Sequence, residues 1–294
     1  MNTLLPRPPE SFLGREAELS RLGEYFPHRN LFVLKGIAGI GKTSLALAFL
    51  RGRSEPCLYL QCLSGEGLEE LCSELGASLG LQPADMDGGT VREKLLVCLK
   101  RLNQQNHVLV IDDVHALPGK QLATLIRLFQ TYLTARVLLI SREELPLGPL
   151  DRVDIFEEKL ERLDPESSIA LLEGLFKLHS GQHPAHQEME RMAVAVDGHP
   201  LLLKLLAGLW LDRRLEVDRV TPETLKPFLA SHVLGQVDPE ARGVLEVLSL
   251  SPVPLALPIV QRCATACEDT VRRLEQRFLL DRQPDGRMRV HQLL

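Results

Sequence analysis

The segment that most constrains this chain is Gly36-Ile37-Ala38-Gly39-Ile40-Gly41-Lys42-Thr43. It fits G-x-x-x-x-G-K-[ST]. It lies between a compact apolar run, Leu31–Lys35, and a stretch of helical pattern, Lys42–Leu50. Strand, glycine loop and helix in that order define a P-loop. The glycines let backbone N–H groups turn inward around phosphate oxygens, and the helix N-terminus adds its positive end. Lys42 reaches the β- and γ-phosphates and serves both binding and catalysis. Thr43 ligates Mg²⁺, and Ser44 follows in the first helical turn. The phosphate site is therefore expected from Gly36, Ala38, Gly39, Ile40, Gly41, Lys42, Thr43 and Ser44.

The surrounding pattern supports a sheet that can carry such a loop. Short apolar runs at Leu31–Lys35, Cys57–Cys62, His107–Ile111, Val137–Ile140 and Asp154–Leu160 read as strands. Helical spacing appears at Arg15–Tyr25, Gly67–Leu79, Val91–Leu102 and Gly119–Tyr132. Buried strands alternating with helices imply a parallel sheet covered on both faces, with ligands at the carboxyl ends of the strands. Polar residues fall at those ends. The run His107–Leu117 (HVLVIDDVHAL) is a hydrophobic strand ending in two acids, the Walker B pattern. Asp112 is placed to hold Mg²⁺ through water, and Asp113 to polarise an attacking water. Ser141-Arg142 ends the next strand, where a polar group and a cation can sense the γ-phosphate.

Beyond about residue 160 the pattern changes. Pro165–Leu178, Gln187–Val196 and Pro200–Trp210 are helical. Pro239–Leu250, Pro258–Cys267 and Glu268–Leu279 read as three more helices. Leu279–Arg282 and Arg287–His291 flank the turn Pro284-Asp285-Gly286, a hairpin signal. The expected domains are 1–155, a nucleotide-binding α/β domain; 156–230, a helical lid; and 231–294, a winged helix. That last segment holds eight Arg, no Lys and eight acids, so it is neutral. A DNA reader shows a basic stripe, and the chain as a whole carries a net charge of −5. Both features argue against nucleic acid as a partner. The greasiest stretch, Leu201–Leu211, is too short to span a bilayer. The start, MNTLLPRPPE, has no apolar core of signal-peptide length. Six cysteines without a CxxC pair are expected as buried free thiols of the cytoplasm. His179, His183 and His186 are separated by Pro184 and read as a solvated loop.

These residues, in this order, resemble the STAND class of P-loop NTPases, the AAA+-related signalling ATPases that include NB-ARC and NACHT proteins. The resemblance covers about residues 10–294. Phe12-Leu13-Gly14-Arg15-Glu16 is similar to the family's hhGRExE motif. By that likeness Phe12 and Leu13 lie beside adenine and Arg15 contacts the nucleotide region. Gly36–Thr43 and Val108–Asp113 stand as the Walker motifs, and Ser141-Arg142 resembles the sensor. Gly198-His199-Pro200-Leu201 is similar to the GxP motif, whose proline packs on adenine. Val290-His291-Gln292 resembles the MHD motif, which implies a contact from His291 to the β-phosphate of ADP. Valine stands there for the family's methionine, and Gln292 for its aspartate.

The resemblance implies a switch. ADP holds a closed monomer, ATP exchange opens it and permits homo-oligomers, and slow Mg²⁺-dependent hydrolysis of ATP resets it. It also implies effector or sensor domains outside this segment. Two other readings remain open. One is a DNA-associated AAA+-type ATPase that grips duplex with its winged helix. The other is a nucleotide-sensing scaffold without turnover.

Overall fold

In the computed structural model the described residues are 12–63, 65–147, 155–179, 184–211, 238–251, 254–264, 267–276, 279–282 and 286–290. They fall into two compact units. The first comprises Ala17–Ile37 and Lys42–Leu160; the second gathers Pro9–Glu16, Ala38–Gly41 and Glu161–Leu294.

In the first unit, five strands form one parallel sheet: β1 (Leu31–Lys35), β2 (Cys57–Gln61), β3 (Val108–Asp112), β4 (Arg136–Ser141) and β5 (Ile155–Lys159). Their order is β2-β3-β4-β1-β5. The P-loop strand β1 is therefore internal, and β4 stands between it and the Walker B strand β3. Register aligns Lys35 with Ser141 and Gln61 with Asp112, so the polar ends lie along one edge. All five residues of β3 are buried, as expected of a strand covered on both sides. Alternation along β1 shows the two coverings. Leu31 and Val33 join the large core beneath helices α3 (Leu68–Ser78), α5 (Val91–Gln105) and α6 (Gly119–Tyr132). Phe32 instead stacks with Phe26 and Phe156 at 5.4 and 5.7 Å. The remaining helices of this unit are α1 (Glu16–Tyr25), α2 (Lys42–Arg51) and the single turn α4 (Pro83–Met86), which the sequence pattern did not reveal. Helix α5 starts at a capping box: Thr90 Oγ1 accepts from the Glu93 N–H, and Glu93 accepts from the Thr90 N–H.

The second unit has two cores. Helices α7 (Pro165–His179), α8 (His186–Ala195) and α9 (Pro200–Leu211) bury Leu172, Phe176, Met192, Leu203 and Leu206 together. Helices α10 (Pro239–Leu250), α11 (Leu257–Ala264) and α12 (Glu268–Gln276) pack with three short antiparallel strands around Val244, Val260, Val271 and Met288. Those strands are β6 (Leu255–Ala256), β7 (Leu280–Arg282) and β8 (Arg287–Val290), in the order β6-β8-β7. The anticipated hairpin is therefore one strand wider; its turn residues Pro284 and Asp285 lie outside the described residues. Helix α9 serves both cores, giving Leu203 and Leu206 to one and Leu205 and Leu209 to the other. This double burial explains a helix that is apolar almost all round. No described helix is long and apolar enough to cross a membrane.

Three cysteines depart from the expected burial. Cys62, Cys72 and Cys98 are buried, and burial pushes their thiols up to about 12, 12 and 11. Cys57 is half-buried, whereas Cys263 and Cys267 are exposed.

Candidate functional site

The P-loop backbone does what its glycines permit. Gly36, Gly39 and Gly41 all have positive φ, at 149°, 72° and 99°. Helix α2 then begins at Lys42. Lys42 is 7% exposed, and its ammonium donates to the carbonyls of Gly36 and Ile37 at 2.7 and 2.9 Å. Burial lowers its pKa, while Asp112 and Asp113 pull the other way. Thr43 and Ser44 follow in the first turn, both half-buried.

Asp112 ends β3 and is 2% exposed. Its carboxylate accepts from the hydroxyls of Thr43 at 2.7 Å and Tyr59 at 2.8 Å, and from the Asp113 N–H at 2.8 Å. Asp113 turns the chain with φ 52° into a single 3₁₀ turn at Val114–Ala116. Gln61 donates to its carboxylate at 3.0 Å, and Arg142 faces it at 3.7 Å. His115 Nδ1 accepts from the Arg142 N–H at 3.4 Å, and burial lowers its pKa. Within the first unit, the sheet thus brings Lys42, Thr43, Asp112, Asp113 and Arg142 into one connected group. Ser141 is spent elsewhere. It is fully buried and closes a turn, donating to the Glu143 carbonyl at 2.7 Å and accepting from the Glu143 N–H.

Within the second unit, Arg15 is 5% exposed. It donates to the carbonyls of Ile40 at 3.2 Å and Glu161 at 2.5 Å. Phe12 is half-buried and Leu13 exposed. Pro200 opens α9 at the first helical position, where its missing N–H costs nothing. Next to it, His199 is 4% exposed, with Nε2 3.0 Å from the carbonyl of Ala38. His291 and His183 lie outside the described residues; of the other two histidines read as a solvated loop, His179 ends α7 and His186 opens α8.

Sequence reasoning did not single out Tyr59, Gln61, His115 or His199. For the first two a signal exists: alternation along β2 puts Cys57, Tyr59 and Gln61 on its less buried face, one strand from Asp112. His199 stands inside the Gly-x-Pro motif, but nothing in sequence says which way it points.

Mg²⁺ suits this donor set. A hydroxyl and a carboxylate oxygen are hard ligands, and Mg²⁺ takes only one or two from protein. Among the described residues no cluster of three His, Cys, Asp or Glu could hold a metal unaided.

Residues 27–146, less than half of the chain, match the family model of the AAA domain. Over 98% of the chain, the fold is similar to that of a Signal Transduction ATPase with Numerous Domains from Pyrococcus horikoshii, a protein with a tetratricopeptide repeat sensor. The TM-score is 0.77 at 20% identity. The chain spans 42% of that protein's length. A Walker-type ATPase of Pyrococcus abyssi is similar over 99% of this chain and 97% of its own, with TM-score 0.57 at 18% identity. No curated protein matches the sequence. The expected resemblance to STAND ATPases is thus borne out at the level of fold.

Proposed function

We propose that this chain is the nucleotide-dependent switch module of a STAND-type signalling ATPase. The observation that carries it is the joined group Thr43–Asp112–Tyr59 with Lys42 beside a glycine-turned loop, and a fold similar over 98% of the chain to that of a STAND ATPase supports it. On this reading α7–α9 are the lid and α10–α12 with β6–β8 the winged helix. Phe12, Leu13 and Pro200 receive adenine, and Gly36, Ala38, Gly39, Ile40 and Gly41 receive phosphate. His291 meets the β-phosphate of ADP. Lys42 leaves its two carbonyls for phosphate oxygens, and Ser44 adds its N–H at the helix start. Thr43, and Asp112 through water, hold Mg²⁺, which supplies charge neutralisation at the phosphates. Asp113, oriented by Gln61, positions the attacking water, and Arg142 faces the γ-phosphate.

The switch binds ADP as a monomer and forms homo-oligomers with ATP, and its protein partners are effector or sensor domains outside this segment. Sizing by light scattering with ADP and with a non-hydrolysable ATP analogue tests it: a mass rising only with the analogue is expected, and an unchanged mass overturns the switch. Single-turnover hydrolysis must also be slow and lost in Lys42→Ala. The second reading, duplex binding, requires a salt-steep shift assay. The neutral segment 231–294 speaks against it.

A further inference from the structure

His199 sits where its two ring nitrogens are both committed. The Leu202 N–H points at Nδ1, 3.4 Å away, so Nδ1 is an acceptor. The Ala38 carbonyl, 3.0 Å from Nε2, can only accept, so Nε2 carries the proton. These partners match the Nε2–H tautomer. Ala38 and Gly39 belong to the same compact unit as His199. The contact is close as well as directional. A Cβ on Gly39 would lie 2.8 Å from His199 Cε1 and 2.9 Å from Leu201 Cβ, and Gly39 also has φ 72°. Only glycine fits under this imidazole.

The consequence follows from peptide planarity. In a trans peptide the C=O and the next N–H point in opposite directions. Holding the Ala38 carbonyl against His199 turns the Gly39 N–H away from the imidazole. Arg15 acts alike two peptides on, where its hold on the Ile40 carbonyl turns the Gly41 N–H. Free loop carbonyls are the ready error of a glycine-rich loop, since a flipped peptide presents oxygen rather than N–H to an anion.

We propose that His199 is a positioning residue that locks the Ala38–Gly39 peptide so that the Gly39 N–H serves as a phosphate donor. The inference rests on the nucleotide reading above. His199 touches no phosphate itself; it acts through one peptide plane. Replacement by a side chain that keeps a donor at the Nε2 position preserves the lock, and replacement by an apolar one releases it.

Calorimetry with ADP and with inorganic pyrophosphate tests this on wild type, His199→Leu and His199→Gln. His199→Leu should weaken both ligands by about tenfold, the worth of one phosphate hydrogen bond. His199→Gln should recover most of that loss, because its amide N–H can reach the same carbonyl. Equal affinity in His199→Leu overturns the proposal, as does equal damage in the Leu and Gln variants, which would make the role one of packing. A loss confined to ADP overturns it too, since the lock acts at the phosphate end. Wild type binding neither ligand removes the nucleotide reading and this inference with it; wild-type binding with an indifferent His199→Leu removes the inference alone. Should His199→Leu fail to fold, the imidazole ¹⁵N shifts of wild-type His199 give the second measurement. They should move on ADP addition, and unmoved shifts overturn the lock.

Discussion

Asp112 is 2% exposed, and three donors converge on its carboxyl group. A buried carboxylate without such partners is costly, so each donor has a measurable weight. Tyr59→Phe removes one charged hydrogen bond and should lower stability by about 1.5–3 kcal/mol in urea unfolding. Asp112→Asn differs in kind. It leaves two hydroxyls facing an amide, and it removes the charge proposed to hold Mg²⁺. Its ATP affinity should therefore fall with Mg²⁺ present and change little for ADP without it. His115 gives a pH signature. Burial lowers its folded pKa, so below the ordinary value of about 6.5 the unfolded chain binds the extra proton. Stability is then lost as pH falls through that value toward the folded pKa. His115→Gln removes this loss. Between pH 7.5 and 5.5 its thermal midpoint should gain on wild type, and parallel curves would rule the linkage out.

At the scale of elements, most strands and helices are legible because their apolar period is strong. β1, β3 and β4 are uninterrupted apolar runs, and each sits within a residue or two of its expected span. What sequence does not carry is pairing that spends little apolar surface. β6 is two residues long, with neither side chain fully buried, and α4 is one turn with no buried residue. The Walker B acids are legible as a pattern, whereas Tyr59 and Gln61 come to them only through the β2–β3 register. Tight joints between elements are just as hidden. Gly198 precedes α9 with φ 65°, and a Cβ there would lie 2.0 Å from the Leu163 carbonyl oxygen. Leu163 in turn donates its N–H to the Gly198 carbonyl at 3.0 Å. Gly198→Ala combines a disfavoured backbone with a backbone clash and should cost about 3 kcal/mol or more. Gly243, inside α10, is the contrast. Its nearest Cβ neighbour is a carbonyl at 3.6 Å, ordinary contact, so Gly243→Ala should stabilise by about 0.5–1 kcal/mol. Guanidinium melts of the two variants should move in opposite directions.

For the whole molecule, each of the three cores buries its own aliphatic set, and helix α9 contributes to two of them. A chain organised this way can gain stability from a ligand only through groups already held in the folded state. Such groups are on hand: Lys42 and Asp112 are folded into the first unit, and the Ala38 and Ile40 carbonyls are held in the second. Because the unfolded chain has no such arrangement, ADP should bind the native state alone. Binding then shifts unfolding by RT ln(1 + [L]/Kd), about 2.7 kcal/mol at a hundred times Kd. The shift should grow by about 1.4 kcal/mol for each further tenfold of ADP. It should vanish in Lys42→Ala, whose apo stability should change less, since the lost ammonium contacts are two carbonyls that water can reach once the side chain is gone. Thermal denaturation across an ADP series, read for both proteins, measures this. A wild-type midpoint independent of ADP would mean that the loop is folded but not a nucleotide site. A midpoint that rises equally in Lys42→Ala would place the ligand away from the P-loop.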